Sequence, residues 1–553
     1  MAQATVVAYG GVSVTGNGGA SGDVLFKIQQ QLASIDSAGN LLTFNPPPTT
    51  IPGTSVSPIL IPAPTGGGAG IVNLVVIPDT DTGLISVPAG YGYIVYNGPG
   101  TILAGPGQQV IGDLNVRGGA GTVAGGGKSG RVTDSTTGAL LSILSGNYIV
   151  NSQGDGQTVY LNNKAKFNLN VTGSGSTIQV GDAGSSVPGQ LRGSSFATIA
   201  GTNDTVNFYP DQNATFIVTT GATGSVFTMT GTTQHNPTTV QTIVLDEGAT
   251  INGGLGTLVV YDSVGSAMTF NGTGNASTVF LLDSVGGGNI TTGLHTQYYN
   301  VATAAAANIT AGTGANDSIF ALHGVNYNGA AGTSALIVAS PDSTSGANTI
   351  SAAANTTIYG GAAGTAMSIG GTSFFFGAGT DSNGGAVTDT ATETSLSGGG
   401  SGAFFLYTNT NESLTINTVA GAAGNGLNLV VAGNNTKLDA TNSLGHDTVW
   451  MLGIANSGGV DAVTGASTIM GATAGNETFQ LYVDSTQATA HTVQIGNWQA
   501  SDSFNILNAA SLTSADNSAI DAFNAGGGAS SLTLSDGTTI AFTGDHPTAI
   551  LKF

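Results

Sequence analysis

Aspartates set in glycine-punctuated turns are the residues of this chain best suited to chemistry. Asp79-Thr-Asp-Thr-Gly83 places carboxylates at alternate positions, as an oxygen-ligand loop for a hard divalent cation begins, although its third ligand position is glycine. A related series recurs as Gly201-Thr-Asn-Asp-Thr-Val206, Gly314-Ala-Asn-Asp-Ser-Ile319, Gly445-His-Asp-Thr-Val449 and Gly475-Asn-Glu-Thr-Phe479. Asp79, Asp81, Asp204, Asp317 and Asp447 are the candidate metal ligands and Ca2+ the candidate cofactor. The plainer reading of each is a turn residue that bonds nearby backbone. Asp262 and Asp283 occupy matching places in Leu258-Val-Val-Tyr-Asp-Ser-Val-Gly265 and Val279-Phe-Leu-Leu-Asp-Ser-Val-Gly286, 21 residues apart. If stacked, such carboxylates repel unless a cation or a shared proton relieves them.

Other catalytic chemistry finds little support. Gly121-Thr-Val-Ala-Gly-Gly-Gly-Lys-Ser129 resembles a phosphate loop, but the leading glycine is one residue too far from the Gly-Lys-Ser and no helix pattern follows. The six histidines and four glutamates are dispersed, without a zinc-protease pair or a nucleophile elbow. Cysteine is absent, which removes disulfides, thiolate metal sites and cysteine nucleophiles together. No catalytic residue is assigned. A carboxylate site acting on polysaccharide, built from successive coils, is the enzymatic alternative.

The elements that must position these aspartates are short β-runs such as Thr158-Val-Tyr-Leu161, Thr177-Ile-Gln-Val180 and Thr205-Val-Asn-Phe208, each ending at small turn residues. Glycine supplies 88 of 553 positions and aromatic residues only 7%. The repeat theme and thin aromatic content predict an all-β, irregular β-solenoid, with β-sandwich domains in series as the alternative. Four regions are expected. Residues 1–45 form a strand and helix that cap or dock, since Leu25, Ile28, Leu32 and Ile35 share one helical stripe. Residues 46–65 hold seven of the 16 prolines and read as a linker or extended arm. Residues 66–490 form the repeat region, and residues 491–553 a β end cap.

In that last region Asp502-Ser-Phe-Asn-Ile-Leu507 precedes a short helical stretch around Ile520 and Phe523, then Leu532-Thr-Leu-Ser-Asp-Gly-Thr-Thr-Ile-Ala-Phe-Thr-Gly544. A hairpin turning at Asp536, Gly537 and Thr538 would put Leu532, Leu534, Ile540 and Phe542 on one side. This ending and the Asp-bearing turns resemble repeats-in-toxin (RTX) proteins, although no full glycine-rich nonapeptide is present. That family holds Ca2+ between coils. With no two copies consecutive here its ion row does not carry over, and the resemblance implies only isolated sites at Asp204, Asp317 and Asp447. It also implies export by type I secretion through an uncleaved signal within Pro547-Thr-Ala-Ile-Leu-Lys-Phe553. The first residues carry neither a basic nor an apolar leader segment, so Sec export is not indicated.

The formal charge of −21 disfavours nucleic-acid and anionic-lipid partners, and no apolar run is long enough for a membrane helix. Between Lys166 and Lys437 the only basic residue is Arg192. A long β-surface without lysine lacks the usual protection against sheet-to-sheet association. The expected function is an extracellular structural protein that assembles with itself as a surface layer, matrix fibre or adhesin, with cell-surface or matrix polysaccharide as a further partner. A polysaccharide-acting enzyme or glycan-binding module on the same scaffold is the alternative.

Overall fold

A computed structural model describes the stacked strands and most of the turns that join them. Outside the described residues lie 1–2, 9–11, 18–30, 182–194, 231–238, 340–347, 379–386, 394–403, 419–425, 453–465 and 483–491, with shorter turn segments and single positions such as Asp79. The chain forms two compact units, Met1–Leu281 and Leu282–Phe553. Each is a parallel stack in which a strand pairs with the next strand but one, so that two strands form one coil and two sheets face each other. In the first unit Thr205–Phe208 lies on Thr177–Val180, while Ala214–Val218 lies on Ser195–Ile199. In the second, Asn316–Ala321 pairs His295–Asn300 on one side and Val325–Asn328 pairs Ala307–Thr310 on the other. The fold is thus a β-solenoid, because serial sandwiches would pair neighbouring strands antiparallel.

The sequence period drifts because the strands keep register while the turns vary. The step between paired residues is 13 from Gln109 to Thr122 and 31 from Lys437 to Thr468. Alternation does the sorting. In Ala214–Val218 the first, third and fifth side chains are buried and the other two lie nearer solvent. Phe216 reaches between the sheets to Phe208 and Phe227, with ring centroids 5.2 and 5.7 Å away. Outward positions form ladders instead. The Asn271 amide donates to Asn252 Oδ1 at 2.9 Å, and the Asn252 amide to Thr228 Oγ1 at 3.2 Å.

The stack begins earlier than residue 66. Leu41–Phe44 pairs Val72–Val76, and Ile59–Leu60 pairs Leu84–Ser86. Pro58 and Pro62 flank that second strand and so interrupt no ladder bond. At the amino end, Gln3–Ala8 and Val12–Asn17 make an antiparallel hairpin. Residues 31–32 and 34–37 are helical, while Leu25 and Ile28 lie outside the described residues. Leu32 packs into a core cluster with Leu74, Val76, Tyr93, Val95 and Ile111, with Ile35 beside it.

At the carboxyl end a helix, Ser514–Ala525, starts with a capping box between Thr513 and Asp516 and buries Ile520 and Phe523. Ser531–Thr533 turns back on Thr539–Thr543 with Leu532 opposite Ile540. The Leu534 N–H donates to the Thr538 carbonyl, so the loop comprises Ser535, Asp536 and Gly537, one residue earlier than expected. Gly537 takes a φ of +90°, which a side chain would oppose. Leu551–Lys552 then adds a parallel strand to Ser503–Leu507.

Candidate functional site: the buried corner carboxylates

The recurrent Asp and Glu turns share one backbone device. Gly175, Asn203 and Gly224 are left-handed, with φ of +70°, +57° and +75°, and each immediately precedes an inward corner residue. Those corner residues, Ser176, Asp204 and Ser225, stand in register on successive coils. The second unit repeats the pattern: Gly426, His446 and Asn476 have φ of +73°, +63° and +65° and precede Leu427, Asp447 and Glu477. A left-handed residue swings the chain inward, and before the acids that residue is Asn203, His446 or Asn476.

The turn leaves the corner N–H needing an acceptor, and the acid of the following coil supplies one. Asp204 Oδ1 accepts from the Ser176 N–H at 2.7 Å, Asp447 Oδ1 from Leu427 at 2.8 Å, and Asp389 Oδ1 from Thr365 at 2.6 Å. Asp502 Oδ1 accepts from the Glu477 N–H at 3.0 Å. Asp81 Oδ1 accepts from the Thr49 N–H at 2.6 Å, and Asp317 Oδ2 from the Thr292 hydroxyl at 2.7 Å. A buried N–H left unpaired costs about 1–3 kcal/mol, so each carboxylate stitches one coil to the one before it.

The second oxygen is the anomaly. Asp81 Oδ2, Asp204 Oδ2 and Glu477 Oε1 are buried and have no hydrogen-bond partner among the described residues. Burial pushes Asp204 and Asp447 up to about 6 and Asp317 up to about 7, against the opposing bonds from Ser176, Leu427, Ser443 and Thr292. Burial also raises Asp389, which shares a hydrogen bond with the buried Glu412.

Three acids stand in one column, with Asp447, Glu477 and Asp502 in register on consecutive coils. Glu477 is 1% exposed, and its Oε2 accepts from the Ala472 N–H at 2.7 Å. Gly471 makes the room, since a Cβ there would stand 2.4 Å from Glu477 Oε2. Burial, with Asp447 and Asp502 on either side, lifts the Glu477 carboxyl to about 8. It therefore holds a proton at neutral pH.

Of the residues singled out as ligands, Asp81, Asp204, Asp317 and Asp447 lie at separate corners, and Asp79 falls outside the described residues. Among the described residues no three His, Asp or Glu side chains converge on a point that could hold a metal ion. Ca2+ takes about 6–8 oxygens, whereas each corner acid has one oxygen committed to the preceding coil. Asp262 and Asp283 each serve their own turn: Asp262 Oδ2 accepts from the Met268 N–H at 3.1 Å and Asp283 Oδ1 from Gly286 at 2.6 Å. The phosphate-loop-like segment leads into a strand, Ser129–Asp134, as its missing helix pattern indicated.

Sequence reading missed the column at Glu477. Its signal was present as a left-handed residue type, then an acid, then Thr and an apolar residue, shared by Asn203-Asp-Thr-Val206, His446-Asp-Thr-Val449 and Asn476-Glu-Thr-Phe479. No protein-family model, curated protein or solved structure matches this chain.

Proposed function

We propose that the chain is an extracellular structural protein that assembles with copies of itself through the sides of its β-stacks, after export by a type I route. The observation that carries this reading is the sheet surface between Arg192 and Lys437, where the sequence contains no Lys or Arg. Cations are the common device by which β-proteins refuse lateral partners. Here the outward positions hold Asn and Thr ladders, with Tyr261, Leu322 and Tyr359 more than 40% exposed. The ends favour sides over end-to-end stacking, because Leu32 and Ile35 cover one terminal core and the helix Ser514–Ala525 lies at the other. Among the described residues no helix is long and apolar enough to cross a membrane.

Calcium in this reading acts as a counter-ion to a formal charge of −21 between neighbouring subunits. A glycan-cleaving enzyme would need two carboxyls facing substrate across a cleft, whereas Asp204, Asp389, Asp447 and Glu477 lie in the core. Electron microscopy of the secreted full chain, with calcium and with chelator, tests the proposal. Lattices or filaments in calcium, dispersing in chelator into subunits with an unchanged melting temperature, are expected. Uniform monomers at every concentration, with or without calcium, would overturn it.

A further inference from the structure

Cationic residues are scarce and unevenly placed. Six of the nine Lys and Arg fall between Arg117 and Arg192 against three Asp, while the rest of the chain sets three cations against 27 acids. Within that stretch Arg131 and Lys166 line one open concavity of about 640 Å3 on the outer face of the first unit. No acid lines it.

The register shows how it is built. Arg131, Ile149, Asn168 and Phe196 face outward at one position on four successive coils. Asn147 and Lys166 form the adjoining column, two residues earlier along their strands. At one coil per ~4.8 Å the first column spans about 14 Å, room for several linked rings. Phe196 is 48% exposed and Ile149 40%. Two other outward ring pairs cover each other's faces: Tyr299 on Phe320 lies 4.9 Å away at 7°, and Tyr359 on Phe376 5.0 Å away at 15°. No ring among the described residues stacks on Phe196.

We propose that this concavity binds an acidic polysaccharide, a chain of sugar rings bearing carboxylates. Arg131 and Lys166 bring two positive charges to one face, which attract a carboxylate-bearing chain. Asn147 and Asn168 offer amides to hydroxyls, and Phe196 and Ile149 an apolar floor for the carbon face of a ring. A bare polyanion would use the cations alone; a neutral glycan would leave them unused. The net charge of −21 opposes an acidic polymer over the chain as a whole, so its attraction is confined to the local field of Arg131 and Lys166.

The test is affinity electrophoresis and calorimetry of the full chain with polygalacturonate, dextran and polyphosphate as probes. Retention by polygalacturonate alone is expected, weakening with salt. The double variant Arg131→Gln/Lys166→Gln and the single variant Phe196→Ala should each weaken it by about tenfold or more. All three residues are outward-facing, and circular dichroism checks that the variants keep wild-type structure; Lys166→Gln alone serves should the double variant not fold. Absence of retention by polygalacturonate, or retention indifferent to these variants, overturns the proposal. So does equal binding of polyphosphate that survives Phe196→Ala, which marks a simple charge patch. Loss of self-association in the double variant, without any polygalacturonate binding, would instead mark this face as a contact between copies.

Discussion

Replacing Glu477 by Gln should make the second unit more tolerant of alkaline pH. The carboxyl sits between Asp447 and Asp502 in the core, with one oxygen on the Ala472 N–H and the other without a partner among the described residues. Its folded pKa is about 8 against an ordinary 4.5. Between those values the native state holds a proton that the unfolded chain has released, so stability falls as pH rises and the loss is complete above 8. At about 1.4 kcal/mol per unit, wild type loses on the order of 3 kcal/mol between pH 5 and 8 through this one group. Glutamine keeps the acceptor for Ala472 and never ionises. Urea unfolding followed by tryptophan emission reports on the right coils: the chain has two tryptophans, Trp450 pairs in register with Gln480, and Trp498 stacks on Phe479 at 5.4 Å. The wild-type midpoint should fall from pH 5 to 8 and the Glu477→Gln midpoint should fall less, by that difference. Parallel pH profiles, or a variant weaker than wild type at pH 8, would refute a proton at this corner.

Asp204→Ala should cost about 1–3 kcal/mol by stranding the Ser176 N–H, while Asp204→Asn keeps the acceptor and gains over wild type above the Asp204 pKa of about 6; denaturant melts at pH 5 and 8 separate the two. Leu32→Ala should lower stability by about 2–3 kcal/mol, since the side chain is 7% exposed against five core residues, and light scattering should show assembly unchanged in the folded fraction. Lost assembly at unchanged stability would make residues 31–37 a docking element instead.

The fold was readable because alternation and turn chemistry are local. Thr205-Val-Asn-Phe208 declares its inward face by itself, and the hairpin of Leu532, Leu534, Ile540 and Phe542 follows from spacing. Strand pairing was less legible, since a step that varies from 13 to 47 residues hides which strands stack. The proline-rich segment misled through composition: Ile59–Leu60 fits between Pro58 and Pro62 as a two-residue strand. At the corners, the aspartates were identified but their work was not. An acid that accepts an N–H 20 to 28 residues earlier, as Asp447 and Asp204 do, leaves no mark in its own neighbourhood. The Glu477 column needed the register of three coils.

Parallel stacking also decides how each unit carries force. Its backbone hydrogen bonds run from coil to coil, along the direction of stacking, while the strands run across it. Tension along the strands would load many coils side by side as shear. Tension along the stack would pull on one coil at a time, peeling strands such as Leu551–Lys552 from Ser503–Leu507 before anything beneath them gives way. The corner acids, each tied to the coil before it, lie across that peeling front. A material made from these units would be stiff across its coils and would yield by increments along them, more readily once alkali had ionised Glu477.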